Sequence, residues 1–235
     1  MTDVLAQVRA AVGERPAWLV GGWVRDRLLG RRPACADIDV VLDGEVRDAA
    51  RALARGSGGA AFELSDAFGA WRVVGPEQAW QVDFTPLQGG SLEADLRARD
   101  LTVNAIAEPL GGGDPVDPTG AMADIEARRL RMVGPEAFAA DPLRVMRLPR
   151  LAVELGFEAD PDTIAAARAQ APGLAAVAGE RIFAELKRIV GADDAQRGLE
   201  LMDAVGATRQ VLPELDALRG VIQNPYHHRD VHGHT

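Results

Sequence analysis

The sequence predicts an α+β fold: a small mixed-sheet head over residues 1–137, then an all-helical neck and body over residues 138–220. Three observations predict it. Up to Thr85, short apolar runs alternate with Gly, Pro and Asp turn signals, the mark of short strands, and three helical segments sit among them. From about Phe138 onward strand signals disappear, and helical periodicity runs between glycine stops. No internal repeat or low-complexity linker interrupts the change from mixed to helical patterning near residues 134–140.

Residues 2–14 pattern as an amphipathic helix, with Val4, Leu5, Val8 and Val12 on one face. Ala17–Val20 reads as a short strand, Val24–Leu29 as a helix stopped by Gly30, and Asp37–Leu42 as a second strand. Glu45–Arg55 is a helix ended by a glycine cluster, and strands follow at Ala60–Leu64, Ala70–Val74 and Trp80–Thr85. Ser91 caps a helix whose first turn is acidic. In the second part, Asp141–Leu155, Asp162–Gln170, Glu180–Val190 and Ala195–Val205 are helices broken by Gly156, Pro172-Gly173, Gly191 and Gly206.

With 235 residues the chain holds one large or two modest domains. A hydrophobic content of 47% and a charged content of 26% are those of an ordinary water-soluble globular protein. No apolar run approaches the roughly 18–20 residues of a membrane span, and no signal-peptide pattern opens the chain, so a cytoplasmic location is expected. The single cysteine, Cys35, has no partner for an internal disulfide, in keeping with a reducing compartment. A net charge of −9 argues against nonspecific, charge-driven nucleic-acid binding but leaves room for a local basic face.

The chemistry concentrates in Leu19-Val20-Gly21-Gly22-Trp23-Val24-Arg25-Asp26 and Asp37-Ile38-Asp39-Val40-Val41. A strand running into two glycines and a helix lets the backbone approach a phosphate and offers it free N–H groups. Asp37 and Asp39, at i and i+2 on a strand, project from one side and repel each other unless a cation lies between them. Hard divalent cations such as Mg²⁺ favour such oxygen ligands. A phosphate cradle beside a metal-binding carboxylate pair points to metal-assisted phosphoryl or nucleotidyl transfer. An Asp-x-Asp pair alone also suits nucleotide-sugar glycosyltransferases, calcium loops and ordinary surfaces; its neighbours give it weight.

Taken in order, these motifs resemble the class II tRNA nucleotidyltransferase and bacterial poly(A) polymerase family of the polymerase-β-like superfamily. Gly21-Gly22-Trp23-Val24-Arg25-Asp26 with Asp37-Ile38-Asp39-Val40-Val41 is similar to its first signature. Arg99-Asp100-Leu101-Thr102-Val103-Asn104-Ala105 is similar to the second, with Ala98 and Leu101 in place of the usual arginine and aromatic. Asp117-Pro118-Thr119-Gly120 with Asp124 and Leu130-Arg131 is similar to the third. Asp141-Pro142-Leu143-Arg144 and Glu180-Arg181-Ile182 are similar to the nucleotide-selecting motif and the one after it.

The resemblance implies that Asp37 and Asp39 hold two Mg²⁺ ions. One would lower the pKa of an RNA 3′-hydroxyl, and the other would bridge a triphosphate. Asp83 is the candidate third catalytic carboxylate, with a solvated strand-edge Asp as the alternative. Gly21 and Gly22 would bring N–H groups to the phosphates. Arg25 would either neutralise phosphate or pair structurally with Asp26. Arg99, Asp100 and Asn104 would contact phosphate and ribose, with helix capping as the alternative for Asp100. Asp141 and Arg144, at i and i+3 on one helix face, would together read a base edge. An Asp oxygen accepts from an exocyclic amino group and Arg donates to the adjacent ring nitrogen, which fits cytosine and adenine and rejects uracil and guanine. The alternative is an i,i+3 surface ion pair. Arg147 and Arg150 continue the helix as candidate contacts for nucleotide or tRNA phosphates, or as solvated arginines.

Two departures from the family pattern bear on specificity. Ala140 stands where an acidic residue usually braces the arginine, so another group must orient Arg144. Between Asp83 and Ser91 the chain passes directly through Gln88-Gly89-Gly90, whereas members that add a whole CCA end usually carry a longer flexible loop there. The expected activity is transfer of CMP from CTP, with ATP a further candidate donor, to a tRNA 3′ end. The short loop resembles the CC-adding subgroup, which leaves the terminal A to a separate A-adding enzyme. Rival readings are a poly(A) polymerase, an Asp-x-Asp glycosyltransferase and an inactive RNA-binding module. All four histidines fall in residues 221–235, which resemble the opening of an HD-type phosphohydrolase segment cut short.

Overall fold

A computed structural model describes residues 2–31, 36–65 and 69–222. Cys35 and all four histidines lie outside them, and so does the HD-like segment apart from Val221 and Ile222. The chain forms two compact units, Met1–Ala127 and Arg128–Thr235.

The first unit runs α1 (Thr2–Val12), β1 (Ala17–Val20), α2 (Gly22–Leu28), β2 (Ala36–Leu42), α3 (Val46–Ser57), β3 (Ala60–Ser65), β4 (Ala70–Val74), β5 (Trp80–Pro86), α4 (Leu92–Arg97), β6 (Ala107–Pro109) and α5 (Ala121–Glu126). The six strands make one sheet in the order β3-β4-β5-β2-β1-β6. Only β2 and β5 pair in parallel; the other pairs are antiparallel, so the sheet is mixed as expected. Period-2 alternation divides its faces. Ile38, Val40 and Leu42 of β2, Val73 of β4, and Val82 and Phe84 of β5 are buried with Val4, Val8 and Val12 of α1 and Val46, Ala49, Ala50 and Leu53 of α3. Each Val, Ile, Leu or Phe among them contributes about 1.5–3 kcal/mol on burial. The intervening residues Asp37, Asp39, Arg72 and Asp83 therefore share the other face. The register sets Asp39 opposite Val20 on one side and Asp83 on the other, and Arg72 opposite Asp83.

Local signals account for the helix ends. The Glu45 carboxylate accepts from the Arg47 N–H (2.9 Å) at the start of α3, and Gly58 closes that helix in the left-handed region. Ser91 Oγ accepts from the Ala94 N–H (3.2 Å) to cap α4. The strand β6 carried no signal that distinguished it from a loop: three residues complete the sheet edge beside β1.

The second unit contains β7 (Arg129–Leu130), α6 (Ala137–Ala140), α7 (Arg144–Leu155), β8 (Glu158–Ala159), α8 (Pro161–Gln170), α9 (Gly179–Val190), α10 (Ala195–Ala204), α11 (Ala207–Val211) and α12 (Pro213–Asp216). It is helical but for the two-residue parallel pair β7–β8. That pair ties the chain from Arg128 onward to the helical unit, ahead of the 137/138 change of pattern read from the sequence. A pairing between residues almost thirty positions apart leaves no local trace. The buried face of α7 carries Val145, Met146, Leu148, Leu151, Ala152 and Leu155, and α7 packs on α9 and α10. None of the helices among the described residues is long and apolar enough to cross a membrane.

Candidate active site

Gly21 marks the point where β1 ends and α2 begins. Its φ of 67° lies in the left-handed region, where a Cβ costs energy. A Cβ added there would also lie 3.3 Å from both Asp39 Oδ2 and Arg99 Nη1. The structure thus brings Gly21, Asp39 and Arg99, residues of two separate motifs, to one place. The N–H of Gly21 donates to the Ile106 carbonyl (3.3 Å), so it serves the fold rather than a ligand. Gly22 opens α2, whose first N–H groups have no acceptor within the helix.

Asp37 is exposed and accepts from Gln81 Nε2 (2.8 Å); Asp39, two residues on, is half-buried on the same face of β2. Asp83 is buried on β5, an interior strand, which overturns the solvated strand-edge alternative. Arg72 Nε and Nη2 donate to its two oxygens at 2.7 and 2.6 Å. The Arg72 guanidinium is held above its ordinary pKa, first by the hydrogen bonds to Asp83 and then by the charges of Asp83, Asp37 and Asp39, against the opposing effect of burial.

The described residues contain no group of three or more His, Cys, Asp or Glu side chains placed to hold a metal ion. The pair Asp37 and Asp39 nevertheless fits Mg²⁺, which is ordinarily bound through one or two carboxylates completed by water and substrate phosphates.

The second motif is bound together internally. Arg25 is buried, donating from Nε to Asp26 Oδ1 (2.9 Å) and from Nη1 to Asn104 Oδ1 (2.5 Å). Of the two readings of Arg25, the structural pairing with Asp26 is therefore present. Asn104 Nδ2 donates in turn to Asp100 Oδ1 (3.0 Å), which also accepts from the Leu101 N–H (2.8 Å). The turn at Thr102–Asn104 starts at Leu101 without a side-chain cap hydrogen bond, so Asp100 ties Leu101 to the Asn104 side chain and does not act as a helix cap. Arg99 is braced by Asp95, four residues earlier on α4, through Nε and Nη2 at 3.3 and 3.0 Å. Asp95 also accepts from the Gln88 N–H (3.2 Å). Sequence reading took Asp95 only as a first-turn acid; the i,i+4 spacing to Arg99 was the available signal.

The third motif supports the second. Asp117 accepts from the N–H groups of Gly120, Ala121 and Met122 at 2.8, 2.7 and 2.9 Å, shaping the entry to α5. The fully buried Asp124 accepts from Thr102 Oγ1 (2.7 Å). Asp117 and Asp124 are scaffold.

In the second unit Asp141 corrects an expectation. It does not lie on a helix face with Arg144: its backbone is extended (φ −149°, ψ 107°), and α7 begins only at Arg144. Pro142 favours this, since a residue before proline is pushed out of the helical region. The Asp141 carboxylate accepts from the Leu143 N–H (3.1 Å) and from Arg181 Nη2 (2.8 Å). The segments Asp141-Pro142-Leu143-Arg144 and Glu180-Arg181-Ile182 therefore meet through this ion pair. Arg144 Nη1 donates to the Ala137 carbonyl (2.8 Å), a brace in a position where Ala140 offers none. Arg147 is half-buried on α7. Arg150 is neither solvated nor available to phosphate: it is buried and donates to Glu185 (2.5 Å) and Glu154 (2.8 Å).

Between β5 and α4 the chain turns tightly. The Leu87 N–H donates to the Leu42 carbonyl (3.0 Å), and Gly89 and Gly90 follow with φ of 67° and 76°. A Cβ on Gly89 would come within 2.8 Å of the Ala94 Cβ.

Comparison with known proteins agrees with this architecture. Residues 17–89 and 68–131 match the poly A polymerase head domain. Residues 156–219 match the domain described as the probable RNA and SrmB-binding site of polymerase A. The chain belongs to the class II tRNA nucleotidyltransferase and bacterial poly(A) polymerase family. It is 44% identical over 192 residues to the CC-adding tRNA nucleotidyltransferase of Geobacter sulfurreducens, covering 82% of this chain and 44% of that protein. It is equally 44% identical over 223 residues to the A-adding tRNA nucleotidyltransferase of Deinococcus radiodurans, covering 93% and 50%. The chain spans about half the length of these curated relatives. Among solved structures, a tRNA-processing enzyme with CTP superposes with a TM-score of 0.74 at 27% identity, covering 94% of this chain and 60% of that one. The Thermotoga maritima CCA-adding enzyme complexed with tRNA shares the fold, with a TM-score of 0.76 at 24% identity over 94% of this chain and 52% of that one.

Proposed function

We propose that this chain carries the nucleotidyl-transfer machinery of a tRNA nucleotidyltransferase that adds CMP from CTP to a tRNA 3′ end without a template and stops after the two cytidines. The observation that carries the transfer reading is the convergence of Gly21, Asp39 and Arg99. A close-approach glycine, a metal-ligating carboxylate and a phosphate-seeking guanidinium at one point suit a nucleoside triphosphate. Asp37 and Asp39 would hold Mg²⁺, which supplies an activated 3′-hydroxyl and charge neutralisation at the triphosphate. The hydroxyl oxygen bonds to the α-phosphorus as pyrophosphate leaves. Arg99, held by Asp95, stands ready for the phosphates; Asp100 and Asn104, locked to Arg25, shape the floor on which the sugar rests.

Asp141 and Arg144 would read the base. An ionised carboxylate has room for a further donor beyond Leu143 and Arg181, so Asp141 can accept a cytosine amino group while Arg144 donates to the ring nitrogen. The finer reading, CC addition, rests on the tight Gln88–Gly90 turn. Its N–H bond to Asp95 and its packing against Ala94 leave no length for a lever that reshapes the pocket from C to A. The equal identity to an A-adding relative makes A addition the second reading.

Extension of a tRNA lacking CCA, resolved to one nucleotide, separates these readings. Two additions from CTP and none from ATP are expected. A third addition from ATP overturns CC addition, and extension of a tRNA ending in CC by ATP alone supports A addition. Long AMP tracts on arbitrary RNA point to a poly(A) polymerase. In the same assay, Arg144→Ala should lower discrimination against UTP by about tenfold or more; unchanged selectivity refutes the base-reading role.

A further inference from the structure

We propose that Arg72 is a phosphate-binding cation of this site and that Asp83 positions it, without itself being a metal ligand. The inference rests on the nucleotidyl-transfer reading above and assigns a residue that none of the family motifs contains.

Three observations carry it. Arg72 and Asp83 lie side by side on β4 and β5, and Asp83 lies beside Asp39 on β2, all on the sheet face away from α1 and α3. The Asp83 carboxylate is already engaged at both oxygens by a bidentate fork, at 2.7 and 2.6 Å. Each oxygen keeps a lone pair, but the charge is already matched by the Arg72 guanidinium, so a cation bound there would compete with that arginine. The fork uses Nε and Nη2, and so turns the Nη1 edge of the guanidinium away from Asp83. The register also puts Asp39 beside Asp83 on the strand next to it, and the charges of Asp37 and Asp39 add, as the smallest contributions, to the hydrogen bonds of Asp83 in holding the guanidinium above its ordinary pKa. A planar cation fixed beside two metal-ligating carboxylates is placed to meet the oxygens of a bound triphosphate, for which the guanidinium fork is well matched. Holding it in place beforehand avoids the cost of ordering a long side chain when the nucleotide arrives.

The charge balance on this face agrees. Arg72 neutralises Asp83, leaving Asp37 and Asp39 as the two carboxylates for cations, and the pair together adds no net charge. Removing both partners therefore leaves the electrostatics at Asp37 and Asp39 nearly unchanged, whereas removing one leaves a partly buried charge uncompensated. This makes the double variant the decisive one.

The test measures binding in the absence of tRNA. Calorimetric titration with CTP and with inorganic tripolyphosphate is run beside Mn²⁺ binding followed by paramagnetic resonance. Arg72→Met should weaken CTP and tripolyphosphate by about 10- to 100-fold, and Arg72→Lys, which keeps charge but loses the fork, should recover part of this. The double variant R72M/D83N should bind CTP no better than R72M, yet hold Mn²⁺ within about twofold of wild type, while Asp39→Asn loses at least about tenfold. Thermal melts of each variant establish that the head is folded, and R72M/D83N supplies the folded comparison if R72M alone does not fold. Loss of Mn²⁺ by R72M/D83N to the extent seen for D39N overturns the proposal, because Asp83 is then a ligand. Unchanged tripolyphosphate binding by the Arg72 variants overturns it as well. A wild-type chain that binds neither CTP nor tripolyphosphate overturns both this proposal and the transfer reading. Tight wild-type binding with no effect at Arg72 overturns this proposal alone.

Discussion

Replacing Asp39 with Asn is expected to abolish nucleotide transfer, lowering kcat by more than about a thousandfold, with the fold intact. The substitution keeps the shape and removes one negative charge. In a site that works through a bound divalent cation, a missing carboxylate costs several kcal/mol in the transition state, and each 1.36 kcal/mol is roughly tenfold in rate. Asp39 sits on β2 between β1 and β5, with the backbone fixed by pairing to Val20 and Asp83, so the sheet has no reason to move. Primer-extension gels with CTP measure the loss, and circular dichroism verifies the fold. Asp43→Asn, at an exposed position just past the end of β2, is the matched control and should retain full activity. Transfer surviving in D39N would refute the metal assignment.

Arg150→Met should destabilise the helical unit by about 3–5 kcal/mol. Arg150 crosses from α7 to Glu185 on α9 and also binds Glu154, and its side chain is only 7% exposed. Met fills similar volume, but it leaves Glu185, itself 12% exposed, without its partner. Glu154 is cushioned by a second arginine, Arg188, which donates to both of its oxygens. The cost therefore falls mainly on Glu185. The double variant R150M/E185Q should regain part of the stability, since removing both charges avoids the unpaired one. Thermal melts should show R150M lower by about 10 °C or more. Equal melting of R150M and wild type would show that the network contributes nothing net.

These two arginine clusters illustrate how far the sequence could be read. Arg150 and Arg147 share a helix at i,i+3 spacing, and nothing local says that one is buried between two glutamates while the other is half-exposed. That depends on which face of α7 meets α9. Arg72 was silent for the same reason. Within Trp71-Arg72-Val73-Val74 it is one polar residue on an ordinary strand, and its meaning comes from the antiparallel register that sets it opposite Asp83. Asp141 shows the opposite error. Spacing alone placed it on a helix with Arg144, while Pro142 carried the local warning that the helix starts later.

By itself the sequence determined the mixed sheet followed by helices, the five longer strands and the motifs that place this chain in its family. Local periodicity, capping residues and glycine turns suffice for such features, because they concern neighbours along the chain. Tertiary structure alone decided where the first unit ends and which partners complete each motif. It joined Arg25 to Asn104, Thr102 to Asp124, Asp141 to Arg181 and Arg72 to Asp83, and it brought Gly21 against Asp39 and Arg99. Each of these contacts spans from eleven to about eighty residues, and only strand register and helix packing bring such residues within hydrogen-bonding reach. The opening glycines and the aspartate pair are thus legible as candidates for a metal-and-phosphate site, while Arg72 beside them becomes visible only on the folded sheet.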